Sequence, residues 1–162
     1  LVSESELSVA VSRLNHRITA LGIGRFITMI LIVIDPMTHD VAVVSAGHMA
    51  PVVRRKDGQI EEPGEHHGGF PLGLMDDAEY DIVTTRIEPG EVFVLYTDGI
   101  NESCNQQVPP VQYGTDRLRK FVAKCPAVPG QLGPLLVADV RTNMGAGAVQ
   151  EDDMCLVCVG RE

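Results

Sequence analysis

Residues 91–99 have the sequence Glu-Val-Phe-Val-Leu-Tyr-Thr-Asp-Gly, an apolar run that ends in an acidic residue and a glycine. The run is short and rich in β-branched and aromatic side chains, which predicts a largely buried β-strand. Asp98 would then be held rigidly at the end of that strand, and Gly99 would let the chain turn close to whatever the carboxylate binds. These residues therefore predict both a core strand and a candidate site residue.

Upstream of this strand, short apolar runs are separated by turn residues, which predicts antiparallel hairpins. The predicted strands cover residues 25–34, 41–45, 51–55, 59–60 and 80–87. The run 25–34 is almost continuously apolar, so we expect it to be buried on both faces, or nearly so. Asp57-Gly58 is a strong hairpin signal between two of the runs.

Three segments have the periodicity of amphipathic helices. The first is predicted to begin at Ser3, with Glu6 as its capping-box partner. Its apolar stripe comprises Leu7, Val11, Leu14, Ile18 and Leu21. The others cover residues 115–124 and 131–144, and residues 154–159 close the chain as a buried strand. Hairpins followed by helices and a last strand predict an α+β fold with antiparallel sheets rather than a doubly wound parallel sheet.

Composition limits the classes of function. The chain has 162 residues with 13 Lys and Arg against 22 Asp and Glu, a net charge of −9. This length predicts a single domain over residues 1–162. A duplex nucleic-acid binder or an anionic-membrane binder needs a basic face, so the acidity argues against both. The longest apolar stretch, residues 26–34, is well short of the ~20 residues of a membrane span, so no membrane insertion is expected.

Four cysteines are too few and too irregularly spaced for a secreted disulfide framework. Cys155 and Cys158 form a C-x-x-C pair, but both lie in the predicted last strand, where residues three apart point to opposite faces. We therefore expect buried thiols in a reducing compartment, which favours a cytoplasmic protein.

A second acidic strand end precedes the last strand, at Glu151-Asp152-Asp153. If the two strands are neighbours, Asp98 and this acidic run would come together. Clustered carboxylates repel one another unless a cation neutralises them, and oxygen donors suit Mg²⁺ or Mn²⁺. The alternative is that both acidic groups belong to ordinary solvated turns. His48 follows another strand, where a lone histidine more often packs or forms hydrogen bonds than binds a ligand.

Several short motifs, in their order along the chain, resemble one known family. They are Phe26-Ile-Thr28, Asp35-Pro-Met-Thr38, Ala46-Gly-His48, Gly69-Phe-Pro-Leu-Gly73, Pro89-Gly-Glu91, Leu95-Tyr-Thr-Asp-Gly-Ile100, Tyr113-Gly114 and Asp152-Asp153. The series resembles the bacterial stage II sporulation E-like branch of the PP2C serine/threonine phosphatases. The resemblance extends from the first helix to the last strand.

The resemblance implies an α-β-β-α sandwich, in which two antiparallel sheets pack face to face with helices outside. It also implies two Mg²⁺ or Mn²⁺ ions that activate a water for in-line attack on phosphoserine or phosphothreonine. By similarity, Asp98 matches a metal-binding aspartate, and Asp152 with its neighbour Asp153 matches the closing acidic pair of the family. Gly99 and His48 are expected to line the site. No residue is assigned as a direct catalyst.

One family motif has no counterpart in residues 1–26. Family members carry an upstream strand that ends in Asp-x-x-Gly-His/Lys-Gly, and its aspartate bridges both metals. We therefore expect the chain to be an N-terminally truncated domain, its C-terminal majority, or a domain that has lost the motif. Only part of the acidic cluster would remain, which predicts weak or absent divalent binding and no useful phosphatase activity. The missing strand would leave a sheet edge open, which favours a homodimer or aggregation.

The resemblance also implies a role in bacterial signalling. The expected partner is a phosphorylated protein substrate, by analogy an anti-sigma-factor antagonist, and a sensor or receiver domain would precede the phosphatase. An alternative from another class is a non-catalytic phosphatase-like module that signals by docking to a partner. A third is an α+β binding domain without metal, which would be favoured if Asp98 and Asp152 lay far apart.

Overall fold

The computed structural model describes residues 3–161, without the side chains of Glu4 and Ser5. In chain order the elements are α1 (Glu4–Ala20), β1 (Met29–Ile34), β2 (Asp40–Ala46), β3 (Val52–Arg54), β4 (Ile60–Glu61), β5 (Val83–Arg86), β6 (Val92–Tyr96), α2 (Asp98–Asn101), α3 (Thr115–Lys124), α4 (Pro129–Met144) and β7 (Leu156–Gly160). Two compact units divide the chain: unit 1 comprises Leu1–Ala50 and Glu62–Ile87, and unit 2 comprises Pro51–Glu61 and Glu88–Glu162. The single-domain organisation of residues 1–162 stays a prediction.

Unit 1 contains a three-stranded antiparallel sheet in the order β1-β2-β5. Helix α1 begins with the predicted capping box, in which the Ser3 Oγ accepts from the Glu6 N–H at 3.3 Å and the Glu6 carboxylate accepts from the Ser3 N–H at 2.7 Å. The core of the unit comprises Leu7, Val11, Val44, Ala46, Leu72, Ala78 and Tyr80. Apolar burial between α1 and the sheet therefore holds this unit together.

Only part of the predicted apolar stripe of α1 faces the core. Leu14 and Leu21 are 40% and 68% exposed. The inner position after Val11 is taken by Asn15, which is fully buried. Its amide donates to the Met75 carbonyl at 2.6 Å, and its carbonyl oxygen accepts from the Gly73 N–H at 2.8 Å. A polar residue can hold this buried position because its hydrogen bonds are satisfied.

Strand β1 also differs from the prediction of burial on both faces. All six of its residues are half-buried. The reason is its place in the sheet: among the strands of residues 3–161, β1 lies at an edge and pairs only with β2, with Leu31 opposite Val44. An apolar sequence pattern does not show whether a strand lies at the edge or in the centre of a sheet, because its position depends on which other strands lie beside it.

Unit 2 contains a four-stranded antiparallel sheet in the order β4-β3-β6-β7. Strand β6, from the apolar run of residues 91–99, lies inside this sheet, and its residues Val92, Phe93 and Val94 are fully buried. Asp57-Gly58 makes the predicted turn of the β3–β4 hairpin, with Gly58 at a φ of +86°. Helices α3 and α4 bury Leu118, Val122, Leu132, Leu136 and Val140.

Strand β7 was expected to be buried, and this expectation is wrong. It is the edge strand beside β6, and Val157 is 49% exposed. Cys155 is exposed and Cys158 is half-buried, so the expected pair of buried thiols is also wrong for Cys155. The fold itself is the predicted α+β class with two antiparallel sheets and helices. Over residues 3–161, no helix combines the length and the apolarity needed to cross a membrane.

Candidate functional site

The two acidic strand ends meet at one edge of the unit 2 sheet. Strands β6 and β7 are antiparallel neighbours, with Tyr96 opposite Leu156. Asp98 follows the end of β6, and Asp152 and Asp153 precede the start of β7. Because antiparallel neighbours bring the end of one strand beside the start of the other, these three residues are neighbours. A shared cation site requires this proximity of the two acidic strand ends.

Thr97 ties the two strand ends together. Its N–H donates to the Cys155 carbonyl at 3.1 Å. Its hydroxyl donates to the Asp153 carbonyl at 2.8 Å and accepts from the Cys155 N–H at 2.9 Å. Three hydrogen bonds therefore join Thr97, directly before Asp98, to Asp153 and Cys155.

Gly99 is required here for space. Its φ is not in the left-handed region, and the residue is buried. A Cβ at this position would lie 2.5 Å from the Asp153 carbonyl oxygen and 3.2 Å from that of Asp152. Only glycine lets the chain after β6 approach the Asp152-Asp153 backbone this closely. Sequence reasoning singled out Gly99 for turning, whereas the structure assigns it to close approach.

The three carboxylates are exposed to solvent. One oxygen of Asp98 accepts from the Gly99 N–H at 3.0 Å, and one oxygen of Asp152 accepts from the Asp153 N–H at 2.7 Å. These bonds to neighbouring backbone groups orient the side chains of Asp98 and Asp152. Each carboxylate keeps a second oxygen that can accept from solvent or bind a cation.

The donor chemistry of this edge suits a hard divalent cation, because all the side-chain donors are carboxylate oxygens. Among residues 3–161, however, no three His, Cys, Asp or Glu side chains are arranged to hold a metal ion. These carboxylates therefore do not by themselves fit a complete metal centre. Their assignment as metal ligands stays a prediction.

His48 belongs to unit 1, whereas Asp98, Asp152 and Asp153 belong to unit 2. It lies in the turn after β2, where the Ser45 hydroxyl donates to the His48 carbonyl at 2.6 Å and accepts from the His48 N–H at 3.2 Å. The ring Nδ1 of His48 lies 3.2 Å from the Met49 carbonyl. These contacts describe a half-buried turn residue, and its place in a site stays a prediction.

A cavity of about 490 Å³ adjoins the acidic edge. Gly99 and Asp152 line it, together with Glu102, Ser103, Asn105, Gln112 and Glu151. Sequence reasoning assigned no site residue to positions 102–112, because this stretch is an irregular loop without periodicity. The base of this loop is closed by the Tyr113 N–H, which donates to the Ser103 carbonyl at 2.8 Å.

A polar cluster anchors the end of this loop to α4. The Tyr113 hydroxyl donates to Asp139 at 2.7 Å, and the Arg117 guanidinium binds the same carboxylate at 3.0 Å. Arg117 also lies 4.8 Å from the centre of the Tyr113 ring. Burial raises the pKa of Tyr113, and the hydrogen bond to Asp139 raises that pKa further. The cluster holds the loop beside the acidic edge.

Comparisons with known proteins agree with this fold. Residues 1–162 match the family model of stage II sporulation protein E (SpoIIE). Protein IcfG of Synechocystis sp. is 22% identical over 141 residues, which are 84% of this chain and 21% of IcfG. This chain therefore spans about a fifth of the length of that relative.

Solved structures of phosphatase domains are similar in fold, and two of them illustrate the match. The Mn-presoaked phosphatase domain of SpoIIE from Bacillus subtilis is 20% identical with a TM-score of 0.64, and the match covers 83% of this chain and 56% of that one. The SiaA-PP2C domain of Pseudomonas aeruginosa is 17% identical with a TM-score of 0.69, and the match covers 97% of this chain and 70% of that one. The fold of this chain agrees with that of these solved phosphatase domains. Because the family model covers every residue, the chain belongs to the stage II sporulation protein E (SpoIIE) family.

Proposed function

We propose that this chain provides part of the active site of a metal-dependent protein serine/threonine phosphatase. The observation that carries the proposal is that the backbone segments bearing Asp98 and Asp152-Asp153 lie side by side at the β6–β7 edge, joined by Thr97 and by the close approach of Gly99. Membership of the SpoIIE family supports the phosphatase chemistry.

Charge supports the dependence on a cation. A phosphorylated side chain is anionic, and it would be repelled by three exposed carboxylates. A divalent cation reverses the sign of the local potential, so that a phosphate can approach. Asp98 and Asp152 are the proposed donors, with Asp153 beside them. Because no three donors are arranged for a metal among residues 3–161, a complete centre would need a further acidic ligand.

The finer assignments follow the family resemblance. We infer that the cations are Mg²⁺ or Mn²⁺ and that the substrate is a phosphorylated signalling protein, by analogy an anti-sigma-factor antagonist. The domain would act in bacterial signalling under the control of an upstream sensor or receiver domain. Glu102, Glu151 and the polar loop residues of the cavity would then lie beside the bound substrate.

A second candidate is a non-catalytic phosphatase-like module that signals by docking to a partner. The observation in its favour is the same incomplete donor set over the described part of the chain. The reading frame upstream of Leu1 distinguishes the two candidates. An Asp-x-x-Gly-His/Lys-Gly motif there would supply the missing acid and support the enzyme, and its absence would support the docking module.

The test measures Mn²⁺ binding by calorimetry and hydrolysis of an aryl phosphate. For residues 1–162 we expect weak or absent Mn²⁺ binding and no useful hydrolysis. For a polypeptide that also carries an upstream acidic motif, we expect Mn²⁺-dependent hydrolysis that is lost in Asp98→Asn and Asp152→Asn. Asp57→Asn, in the β3–β4 turn, is the matched control because its carboxylate accepts from the Gln59 N–H away from the acidic edge.

Two outcomes would contradict the proposal. Full Mn²⁺-dependent hydrolysis in Asp98→Asn and Asp152→Asn would show that the β6–β7 edge is not the metal site. Hydrolysis by residues 1–162 at rates typical of the family would show that the donor set is complete without a further acid.

A further inference from the structure

The loop between α2 and α3 carries an exposed apolar tip. Residues 108–111 have the sequence Val-Pro-Pro-Val, and all four are exposed. Val108 is 98% exposed and Val111 is 50% exposed. A single exposed apolar side chain is ordinary, whereas several that lie together commonly mark a site of protein contact. The tip is therefore a candidate contact surface.

Hydrogen bonds within the loop fix the shape of this tip. The side-chain oxygen of Asn105 accepts from the Gln107 N–H at 3.2 Å and from the Val111 N–H at 3.0 Å. The Asn105 N–H donates to the Val111 carbonyl at 3.0 Å. Below the tip, the Gln106 side chain donates to the Ala146 carbonyl at 3.1 Å. A loop that is ordered in this way loses little conformational freedom on binding, which favours association.

The loop is neutral although it lies beside the acidic edge. Residues 103–112 contain no Asp, Glu, Lys, Arg or His, in a chain with a net charge of −9. Glu102 precedes the loop, and Asp152 lines the same cavity as Gln106 and Pro110. A phosphorylated protein is anionic, so most of the surface of this chain repels it. The neutral tip is a surface near the acidic edge that such a protein can contact without repulsion.

We propose that residues 108–111 dock against the folded protein whose phosphorylated residue reaches the acidic edge. This inference rests on the proposed function, because it concerns how the substrate of that site is recognised. The tip projects into solvent, since Val108 is almost fully exposed, and a projecting apolar tip fits an apolar depression on a folded protein. An extended peptide offers no such depression and binds in grooves or along sheet edges. The preferred substrate is therefore a folded phosphoprotein.

Alkylation tests whether the tip is accessible in the full-length protein and whether the substrate covers it. We expect Val108→Cys to react rapidly with iodoacetamide, as measured at that residue by mass spectrometry. The probe is a phosphorylated anti-sigma-factor antagonist of the same organism, and at saturation it should slow this reaction several-fold. The experiment uses an Asp98→Asn background, in which the proposed function predicts that the probe keeps its phosphate.

The matched control for alkylation is Gln59→Cys. Gln59 is exposed and lies in the β3–β4 connection of the same unit. This connection lies at the opposite end of the sheet from Asp98, because Arg54 pairs with Val92 at the start of β6. Alkylation of Gln59→Cys should not change when the probe is added.

Kinetics of the full-length protein tests the effect on the reaction. We expect Val108→Asp to raise KM for the phosphorylated antagonist at least about ten-fold, because burial of a valine contributes roughly that factor to affinity. The kcat should stay unchanged, because docking at the tip stabilises the bound substrate and the transition state equally. Val108→Ile keeps the apolar tip, and Gln59→Asp adds the same charge elsewhere, so neither should change KM. Aryl phosphate hydrolysis should be equal in all variants, since this small substrate does not reach the tip.

Three results would overturn the inference. Slow alkylation of Val108→Cys before the probe is added would show that another part of the full-length protein covers the tip. An absence of protection by the probe, or an unchanged KM in Val108→Asp, would show that the substrate does not dock there. Absence of aryl phosphate hydrolysis in the unsubstituted full-length protein would instead contradict the proposed function, and alkylation would still decide whether the tip is a docking surface.

Discussion

The substitution Gly99→Ala tests whether the close approach at the acidic edge is required by the fold. The new Cβ would lie 2.5 Å from the Asp153 carbonyl oxygen and 2.9 Å from the Asp153 carbonyl carbon. Ordinary contact begins at 3.4 Å, so the two backbone segments must separate by about 0.9 Å. Both atoms belong to the backbone, which cannot rotate away as a side chain could.

The cost follows from two terms. Overpacking a close contact costs about 1–3 kcal/mol, and straining the Thr97–Asp153 hydrogen bond costs about 1 kcal/mol. The higher helix propensity of alanine in α2 offsets at most about 1 kcal/mol. We expect a net loss of about 2 kcal/mol in the free energy of unfolding, which lowers Tm by roughly 4–8 °C for a domain of this size.

The assay is urea unfolding together with thermal melting, and Gly133→Ala is the matched control. A Cβ on Gly133 of α4 would lie 3.5 Å from the Cys158 Sγ, an ordinary contact. Because alanine is the better helix former, this variant should be unchanged or more stable by up to about 1 kcal/mol. If the free energy of unfolding of Gly99→Ala is within about 0.5 kcal/mol of that of the unsubstituted chain, the close approach of Gly99 to the Asp153 backbone does not constrain the fold, and the prediction is wrong.

Three further experiments, two substitutions and one chemical modification, test other parts of the structure. Glu91 is 7% exposed, and its carboxylate accepts a hydrogen bond from the Arg55 guanidinium at 2.8 Å. Glu91→Gln removes the negative charge, so urea unfolding should show a free energy of unfolding lower by about 2 kcal/mol. An unchanged urea midpoint would refute this. Tyr113→Phe removes the bond to Asp139 and should cost about 1 kcal/mol at pH 8. The pKa of Tyr113 is raised in the folded chain, so the stabilisation is complete below the ordinary tyrosine pKa of about 10 and is lost as the pH rises further. The free energies of unfolding of the unsubstituted chain and of Tyr113→Phe should therefore converge above about pH 10. Burial raises the pKa of Cys158 to about 11, whereas Cys155 is exposed. Alkylation at pH 8, followed by mass spectrometry, should therefore modify Cys155 at least ~10-fold faster, and equal rates would contradict the placement of Cys158.

Much of the fold could be predicted from local sequence. The capping box at Ser3 and the helix at residues 115–124 were correct because the groups that determine them are neighbours along the chain. The hairpin at Asp57-Gly58 was correct for the same reason, since its turn needs a residue that accepts positive φ. The acidic strand ends that form the candidate site could also be located, because acidic residues directly after or before apolar runs mark the ends of those strands; their role as metal ligands stays a prediction.

The remaining features depend on residues that are distant along the chain. The cavity beside the acidic edge is formed by loop residues such as Glu102 and Gln112, which have no periodic pattern. The polar cluster around Asp139 joins α4 to the loop end at Tyr113, 26 positions away. No local signal announces such a contact, because its partners are brought together only when the helices pack.

By itself, the sequence determined which segments become strands and helices and which strands end in carboxylates, because periodicity and turn chemistry act between near neighbours. Only the tertiary structure decided that β1 and β7 lie at sheet edges, that Asn15 instead of Leu14 faces the core, and that Gly99 serves close approach. An apolar strand has the same sequence pattern at an edge or in the centre, and a glycine is the same residue in a turn or against a backbone. The position of a strand in its sheet and the role of a glycine depend on residues distant along the chain, which become neighbours only in the folded structure.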